Sequence, residues 1–275
     1  MWQIFARCMA LLLLQPGCWA QTVTYNGIVK DRDSGTPLAY VNIGVLNRNS
    51  GTVTDTEGRF ALALGPVHDD ETIKISMIGY HSLQLPVSGF KSAVAANPVL
   101  YLDKNIAALR EVVIPNKRLR TYILGNTPGN KTVSAGFVNN VLGNEIGIIV
   151  KTGSKPTFIE AFHAIVDYNH YKNLKFRINV YDLKDGLPNN ALLTENIIVS
   201  SEVRKGKMTI DLSDYNLLVA EDFFISIELI EGLGEGGLHF IADYTGTPVI
   251  TRAASQGRWN KQKKLSFGFS VTVKQ

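Results

Sequence analysis

Gly51-Thr52-Val53-Thr54-Asp55-Thr56-Glu57-Gly58-Arg59-Phe60, continued by Ala61-Leu62-Ala63-Leu64, decides how this chain is read. Two apolar-alternating segments meet at a turn built by Asp55 to Gly58, where glycine supplies backbone angles that other residues resist. The run from Phe60 to Leu64 keeps a period of two, the mark of a strand with one buried face. Met77-Ile78-Gly79-Tyr80 echoes it, with an apolar strand running into a glycine turn.

The same texture extends to both sides. Thr22 to Lys30 alternates apolar and polar residues, then breaks at the turn formers Asp31-Arg32-Asp33-Ser34-Gly35-Thr36-Pro37. Tyr40 to Val45, Thr72 to Ile78, Leu83 to Val87 and Pro98 to Leu102 read as further strands. About seven short strands within about 80 residues, spaced by turn signals, predict a small antiparallel sandwich.

In order, Gly27-Ile28-Val29, Asp33-Ser34-Gly35-Thr36-Pro37-Leu38, Val41-Asn42-Ile43, Gly51 to Phe60 and Ile78-Gly79-Tyr80 resemble the carboxypeptidase regulatory-like domain. That resemblance covers residues 22 to 103 and implies a transthyretin-like Greek-key sandwich, with Gly51, Asp55, Gly58, Phe60, Gly79 and Tyr80 as structural motif residues. The family is abundant in exported proteins of Bacteroidetes. Its members commonly stand at the front of TonB-dependent outer-membrane receptors, and related domains sit beside metallocarboxypeptidases. Leu109 to Ile114 is similar to the segment that follows the domain in those receptors. A receptor's plug and barrel of about 22 strands would not fit in the remainder of this 275-residue chain.

Charge adds one exclusion. The formal net charge is +4 with 19% charged residues, and the basic side chains are scattered apart from the run Lys261 to Lys264. Nucleic-acid binders gather such residues into a stripe on a known module, so no nucleic-acid partner is expected.

Arg7, the apolar run Met9 to Leu14 and the small residues around Cys18-Trp19-Ala20 form an export signal over residues 1–20, with cleavage before Gln21. The apolar run falls short of the roughly 20 residues a membrane span needs, so no transmembrane span is expected after cleavage. Gly17-Cys18 invites a lipoprotein reading, but Gln15, followed by Pro16, stands three before Cys18 where a lipidation signal wants an aliphatic residue, and plain secretion is preferred. The expected location is the periplasm, the outer membrane or the cell surface. Both cysteines, Cys8 and Cys18, belong to this signal, which leaves the exported body without thiols.

Residues 104–130 read as a linker, with a helical turn from Asn105 to Glu111 and the cluster Asn126-Thr127-Pro128-Gly129-Asn130. Residues 131–275 read as a second and larger antiparallel sandwich, jelly-roll-like. Its strands are Glu145 to Lys151, Pro156 to Tyr168, Leu174 to Tyr181, Thr194 to Ser200, Lys207 to Leu212, Asp222 to Glu231 and Leu265 to Lys274. In the last, Leu265, Phe267, Phe269, Val271 and Val273 share a face; burying them is worth on the order of 10 kcal/mol gross, at about 2 each. The expected fold class is all-β: two sandwiches in tandem.

His68-Asp69-Asp70-Glu71 has the His-x-x-Glu spacing of a zinc peptidase, with His163 or His170 as a distant third ligand, but it sits on a hairpin loop and the chain has no α/β catalytic domain. Asp31-x-Asp33-Ser34-Gly35 opens like a calcium loop without the closing glutamate, and an Asx turn explains it. His163 and Asp167 point the same way on one strand about 13 Å apart, too far for a dyad. Gly232 to Gly237 is a flexible hairpin rather than a phosphate loop, because no helix follows. Trp259 and Tyr244 remain as glycan contacts, with Tyr168 and Tyr171 behind them. No catalytic, metal or cofactor residue is expected. The favoured function is a non-enzymatic envelope module contacting a protein partner or glycan; the alternative is an envelope hydrolase.

Overall fold

The computed structural model describes residues 22–65, 69–105, 119–127, 133–137 and 140–275. The export signal, His68 and most of the expected turn from Asn105 to Glu111 lie outside these residues.

The front sandwich is built from β1 (Val23–Asp31), β2 (Asn42–Val45), β3 (Gly51–Val53), β4 (Arg59–Leu64), β5 (Thr72–Ser76), β6 (Leu83–Pro86), helix α1 (Val87–Ala96) and β7 (Val99–Leu102). Sheet I has the order β4-β1-β7 and sheet II the order β3-β2-β5-β6. Along β4, Phe60, Leu62 and Leu64 are buried while Arg59, Ala61 and Ala63 are exposed, which is the alternation the opening stretch predicted. The turn before it closes as its residues dictate. The Asp55 carboxylate accepts the Glu57 and Arg59 amides at 2.8 Å, and Gly58 takes φ +73° beside the Val29 carbonyl, where a Cβ would stand at 2.7 Å.

Helix α1 departs from the strand-only expectation. Val87, Phe90 and Val94 form its buried face, and Phe90 meets Tyr25 and Phe60 with ring centroids 6.0 and 6.1 Å away. Three apolar anchors across a polar Ser-Gly start are a faint helical signal in ten residues, and tertiary burial fixes the helix. It carries the chain from sheet II back to sheet I, so β7 joins β1 in parallel, with Val29 opposite Leu100. The sandwich is therefore not wholly antiparallel.

The back sandwich holds β8 (Thr121–Gly125), β9 (Val133–Phe137), β10 (Glu145–Val150), β11 (Thr157–Asn169), β12 (Leu174–Lys184), β13 (Leu187–Ala191), β14 (Ile197–Ser201), β15 (Gly206–Asp211), β16 (Leu217–Val219), β17 (Phe223–Leu229), β18 (Leu238–Asp243), β19 (Val249–Arg252), β20 (Asn260–Gln262), β21 (Ser266–Phe267) and β22 (Phe269–Lys274). Sheet III runs β13-β12-β17-β10-β19-β20, with β14 also on β12. Sheet IV runs β21-β18-β11-β22-β8, with β9 on β18 and both β15 and β16 on β11. Between them Phe176, Ile178, Phe223, Ile225, Ile148, Phe162, Phe240 and Phe269 are buried in one core.

Three details differ from the sequence reading. β8 falls inside the stretch expected to be a linker, yet it pairs along β22, with Tyr122 opposite Val273. The final strand breaks at Gly268: Phe267 sits opposite Ala242 of β18, while Phe269 sits opposite Ala164 of β11. Gly232 to Gly237 joins β17 of sheet III to β18 of sheet IV, so it crosses between sheets and is no hairpin.

Candidate binding cleft at the seam of the two sandwiches

Side-chain alternation on sheet III creates the seam. Leu174, Phe176, Ile178 and Val180 of β12 enter the core, so Arg177, Asn179 and Tyr181 face outward. Register then aligns Arg177 of β12 with Glu228 of β17, Glu228 with Glu145 of β10, and Glu145 with Arg252 of β19. The result is a four-strand row of charges ordered plus, minus, minus, plus, and all four side chains are buried.

The row is knit by short contacts. Arg177 reaches Glu228 at 2.9 Å and Arg252 reaches Glu145 at 2.6 Å. Asn179 donates to Glu228 at 2.6 Å and to Glu145 at 3.0 Å, and Ser226 donates to Glu145. Burial and the neighbouring Glu228 raise the Glu145 carboxyl. Burial also works against Glu228, but Arg177 and Arg252 overcome it and hold that carboxyl below its ordinary value. Two adjacent buried carboxylates thus meet different surroundings: Arg177 and Arg252 both reach Glu228, whereas Glu145 pairs with Arg252 alone.

The front sandwich lids this row. The Arg177 guanidinium donates to the Tyr40 carbonyl at 2.9 Å and to the Asn42 side chain at 2.8 Å. Gln256 donates to Ser76 at 2.8 Å, and its carbonyl accepts the Asn47 amide at 3.0 Å. Gly44 and Gly51 let the Ser255 carbonyl come so close that a Cβ on either glycine would overlap it. Tyr40, Asn47 and Gln256 all adopt φ near +60° despite carrying side chains, a cost that persists only where surroundings enforce it. Lys74 on the same face of sheet II is lowered by burial and by Arg252.

At the rim of this seam the two sandwiches leave a cleft of about 450 Å³, within the range of small-ligand sites. One wall is the β3–β4 connection, which crosses from sheet II to sheet I, with Thr52, Val53, Asp55, Thr56, Arg59 and Ala61; the other is Leu142 and Ile230 to Gly232. The Glu231 carboxylate accepts from the Tyr40 hydroxyl at 2.5 Å and from Lys175 at 2.7 Å. Burial and the Glu231 hydrogen bond raise the Tyr40 phenol. Burial opposes ionisation of Glu231, but Lys175 and Tyr40 prevail and lower it. Hydroxyls of Thr52 and Thr56, the Asp55 and Glu231 carboxylates, the Arg59 guanidinium and the aliphatic Val53, Leu142 and Ile230 suit this cleft to holding a polar ligand or a partner's loop.

The structure places the candidates named from sequence as follows. Glu71 is gripped by Arg48 at 2.6 and 3.2 Å, while His68 lies outside the described residues. Asp31 accepts the Asp33 and Ser34 amides and the Tyr80 hydroxyl; the Ser34 amide is the main reason its carboxyl lies far below the usual range. Burial and this hydrogen bond push the Tyr80 phenol up to about 12. Gly79, with φ +83°, offers its carbonyl to the Asn105 amide at 2.8 Å. Phe60 lies in the front core. His170 stacks on Tyr168, which stacks on His239. Tyr171 is buried. Among the described residues no group of three or more His, Cys, Asp or Glu side chains could hold a metal ion.

Trp259 belongs to the seam. Its ring meets Phe224 and Tyr181 edge-on at 5.2 and 5.9 Å and lies 4.8 Å from the Arg252 guanidinium. Tyr244, by contrast, is 64% exposed.

His163 is a sheet residue, hydrogen-bonded to Thr209 at 3.0 Å and Thr272 at 2.8 Å. Burial, with Lys207 nearby, lowers its pKa, so the unfolded chain binds its proton more readily than the folded one. Stability from this group is present above about 6.5, the unfolded value, and declines as pH falls below it. Unfolding curves from pH 7.5 to 5 are expected to show that decline, with a shallower slope for His163→Gln. An equal slope in the variant would rule the residue out as its source.

Sequence reasoning missed Arg177, Glu145, Glu228 and Arg252. Charged residues at alternating strand positions read as a solvated face, and only knowledge of what covers that face reverses the reading.

Comparisons with known proteins bear on the front half. Residues 25–114 match the CarboxypepD_reg-like domain family. A segment of 104 residues is 31% identical to the TonB-dependent receptor SusC of Bacteroides thetaiotaomicron, covering 38% of this chain and 10% of the receptor. The chain thus spans about a tenth of the length of that curated relative. Two structures of infectious bursal disease virus, strains Gt and Gx, align over 93% and 91% of the chain and 65% and 63% of theirs. Their identities are 11% and 10% and both TM-scores are 0.22, too low to carry an argument.

Proposed function

We propose, from the premise that residues 25–114 form a CarboxypepD_reg-like domain, that this chain is a non-enzymatic module of the cell envelope that binds or assembles with a protein partner or a glycan. The observation that carries the reading is the seam. It ties sheet II of the regulatory-like sandwich to sheet III through buried charge, so that sandwich becomes a wall of a shared cleft. The family's own Gly51–Phe60 stretch lines that wall. The relation of the front half to a TonB-dependent receptor supports an envelope location, as does the export signal read over residues 1–20. The hydrolase alternative would need a free carboxylate pair, whereas Glu145 and Glu228 are covered and held by arginines, and in the cleft Asp55 closes its own turn while Glu231 is bound by Tyr40 and Lys175.

The exported body carries no cysteine, so a single introduced thiol makes a clean probe. A photo-crosslinker on Thr56→Cys, at the cleft, is expected to give one discrete adduct in envelope fractions, protein or saccharide by mass spectrometry. The same label on Asp214→Cys, in the exposed turn between β15 and β16, is expected to give none. Adducts alike from both positions, or turnover of peptide or glycan substrates by purified protein, would overturn the proposal.

A further inference from the structure

Two sheet edges border the seam cleft. β4 is an outermost strand of sheet I and β3 an outermost strand of sheet II, and among the described residues no further strand pairs with either. In an antiparallel ladder, alternate residues send their amide and carbonyl toward the partner strand and the rest send theirs away. On β4 the Val29 amide reaches the Gly58 carbonyl, and Gly27 stands opposite Phe60 and Tyr25 opposite Leu62. Gly58, Phe60, Leu62 and Leu64 therefore bond toward β1, while Arg59, Ala61 and Ala63 point their backbone groups away from it. On β3 the Val45 amide reaches the Ser50 carbonyl and the Thr54 amide the Val41 carbonyl, which leaves Gly51 and Val53 pointing outward.

The chain itself answers most of what β4 turns outward. The Arg59 carbonyl accepts the Asp55 amide at 2.9 Å, its amide donates to the Asp55 carboxylate at 2.8 Å, and the Ala63 carbonyl accepts the Ser50 hydroxyl at 2.9 Å. Between them stands Ala61, exposed and carrying only a methyl group, and it lines the cleft together with Val53. The charges around it are answered too. Arg59 pairs with Glu57, Asp55 closes its own turn, and Glu231 is held by Tyr40 and Lys175. Among the described residues no aromatic ring lines the cleft, so it offers no flat platform to the face of a sugar. What is left over is backbone: a donor and an acceptor on one residue, facing the aliphatic Leu142 and Ile230 across the cleft.

We propose that the seam cleft takes an extended segment of a partner protein, added to sheet I as a short strand that exchanges backbone hydrogen bonds with Ala61. The segment is uncharged where it passes Ala61, because no side chain there awaits a counter-charge, and it presents an aliphatic side chain to Leu142 and Ile230. The inference rests on the binding-module reading and deepens it, choosing a protein partner over a glycan.

A phage-displayed library of random dodecapeptides, panned on the full chain, supplies the probe. A selected peptide is expected to bind saturably and to slow hydrogen exchange of the Ala61 amide at least about tenfold, while the Arg59 amide, already bonded to Asp55, changes little. Ala61→Pro removes the outward amide without touching the bonds to β1. It is expected to weaken the peptide at least about tenfold at an unchanged melting temperature; should the variant unfold, the exchange measurement on the unsubstituted chain still decides. Arg59→Ala is expected to leave the affinity within about twofold. No enriched peptide, unmoved exchange at Ala61, a peptide indifferent to Ala61→Pro, or displacement of the peptide by maltotriose would overturn the proposal. The Thr56→Cys label separates this failure from that of the module itself. An envelope adduct that persists unchanged in the Ala61→Pro background refutes strand addition and keeps the module, whereas no adduct in either background removes both.

Discussion

Truncation of Arg177 to alanine is expected to lower the unfolding free energy by about 3–5 kcal/mol, the usual cost of leaving one partner of a buried ion pair uncompensated. Glu228 would keep its charge without the guanidinium 2.9 Å away, and the Tyr40 carbonyl and Asn42 side chain would lose a shared donor. Denaturant unfolding reads the loss directly. Pairing Arg177→Met with Glu228→Leu is expected to recover most of it, because removing both charges also removes their desolvation cost. The two glutamates are expected to differ as well. Glu228 answers two arginines and Glu145 only Arg252, so Glu145→Gln is expected to cost less than Glu228→Gln. A double variant as unstable as the single one, or equal costs for the two glutamates, would refute this account of the row.

Gly51→Val is expected to be comparably damaging, at about 3 kcal/mol or more, the upper end of overpacking penalties. The new side chain would have to displace the Ser255 backbone carbonyl, and a carbonyl in a tight loop has no rotamer to escape into. The signature should be specific: the seam loosens while both cores survive. Hydrogen exchange is expected to rise at Asn42 to Val45 and at Ala254 to Gly257, with Phe162 to Val166 in the back core still protected. Uniform loss of protection across both sandwiches would mean that Gly51 serves the front fold alone and not its docking.

The sequence made much of this architecture legible because alternation is a local signal. Phe60, Leu62 and Leu64, or Leu174, Phe176, Ile178 and Val180, announce their face whatever lies opposite, and both of these strands form where the pattern puts them. Arg177 and Glu228 lie on the opposite face by the same rule, and nothing in that rule marks the face as covered. Period two says which residues point together, and says nothing of whether water or a second sandwich meets them. Helix α1 hid because three anchors in ten residues scarcely distinguish one period from another. β8 hid because Thr121 to Gly125 is exposed on both faces, so it is a strand held by its hydrogen-bonded neighbour and not by a hydrophobic stripe. The seam cleft needed residues 52–61 and 230–232 to be brought together across the fold, a juxtaposition that no spacing along the chain encodes.

The pairing of β8 with β22 sets a schedule for assembly. The strand pairings described for the front sandwich fall within residues 23–102, so its sheets can form while later residues are still being made. The edge of sheet IV joins Thr121–Gly125 to Ser270–Lys274, a loop of about 150 residues, and long closures of this kind are slow. Until Lys274 emerges, the strand at residues 269–274 cannot cover either β8 or the long β11. A growing chain therefore carries a finished head and an unfinished tail, and that tail is the stretch a chaperone would need to guard.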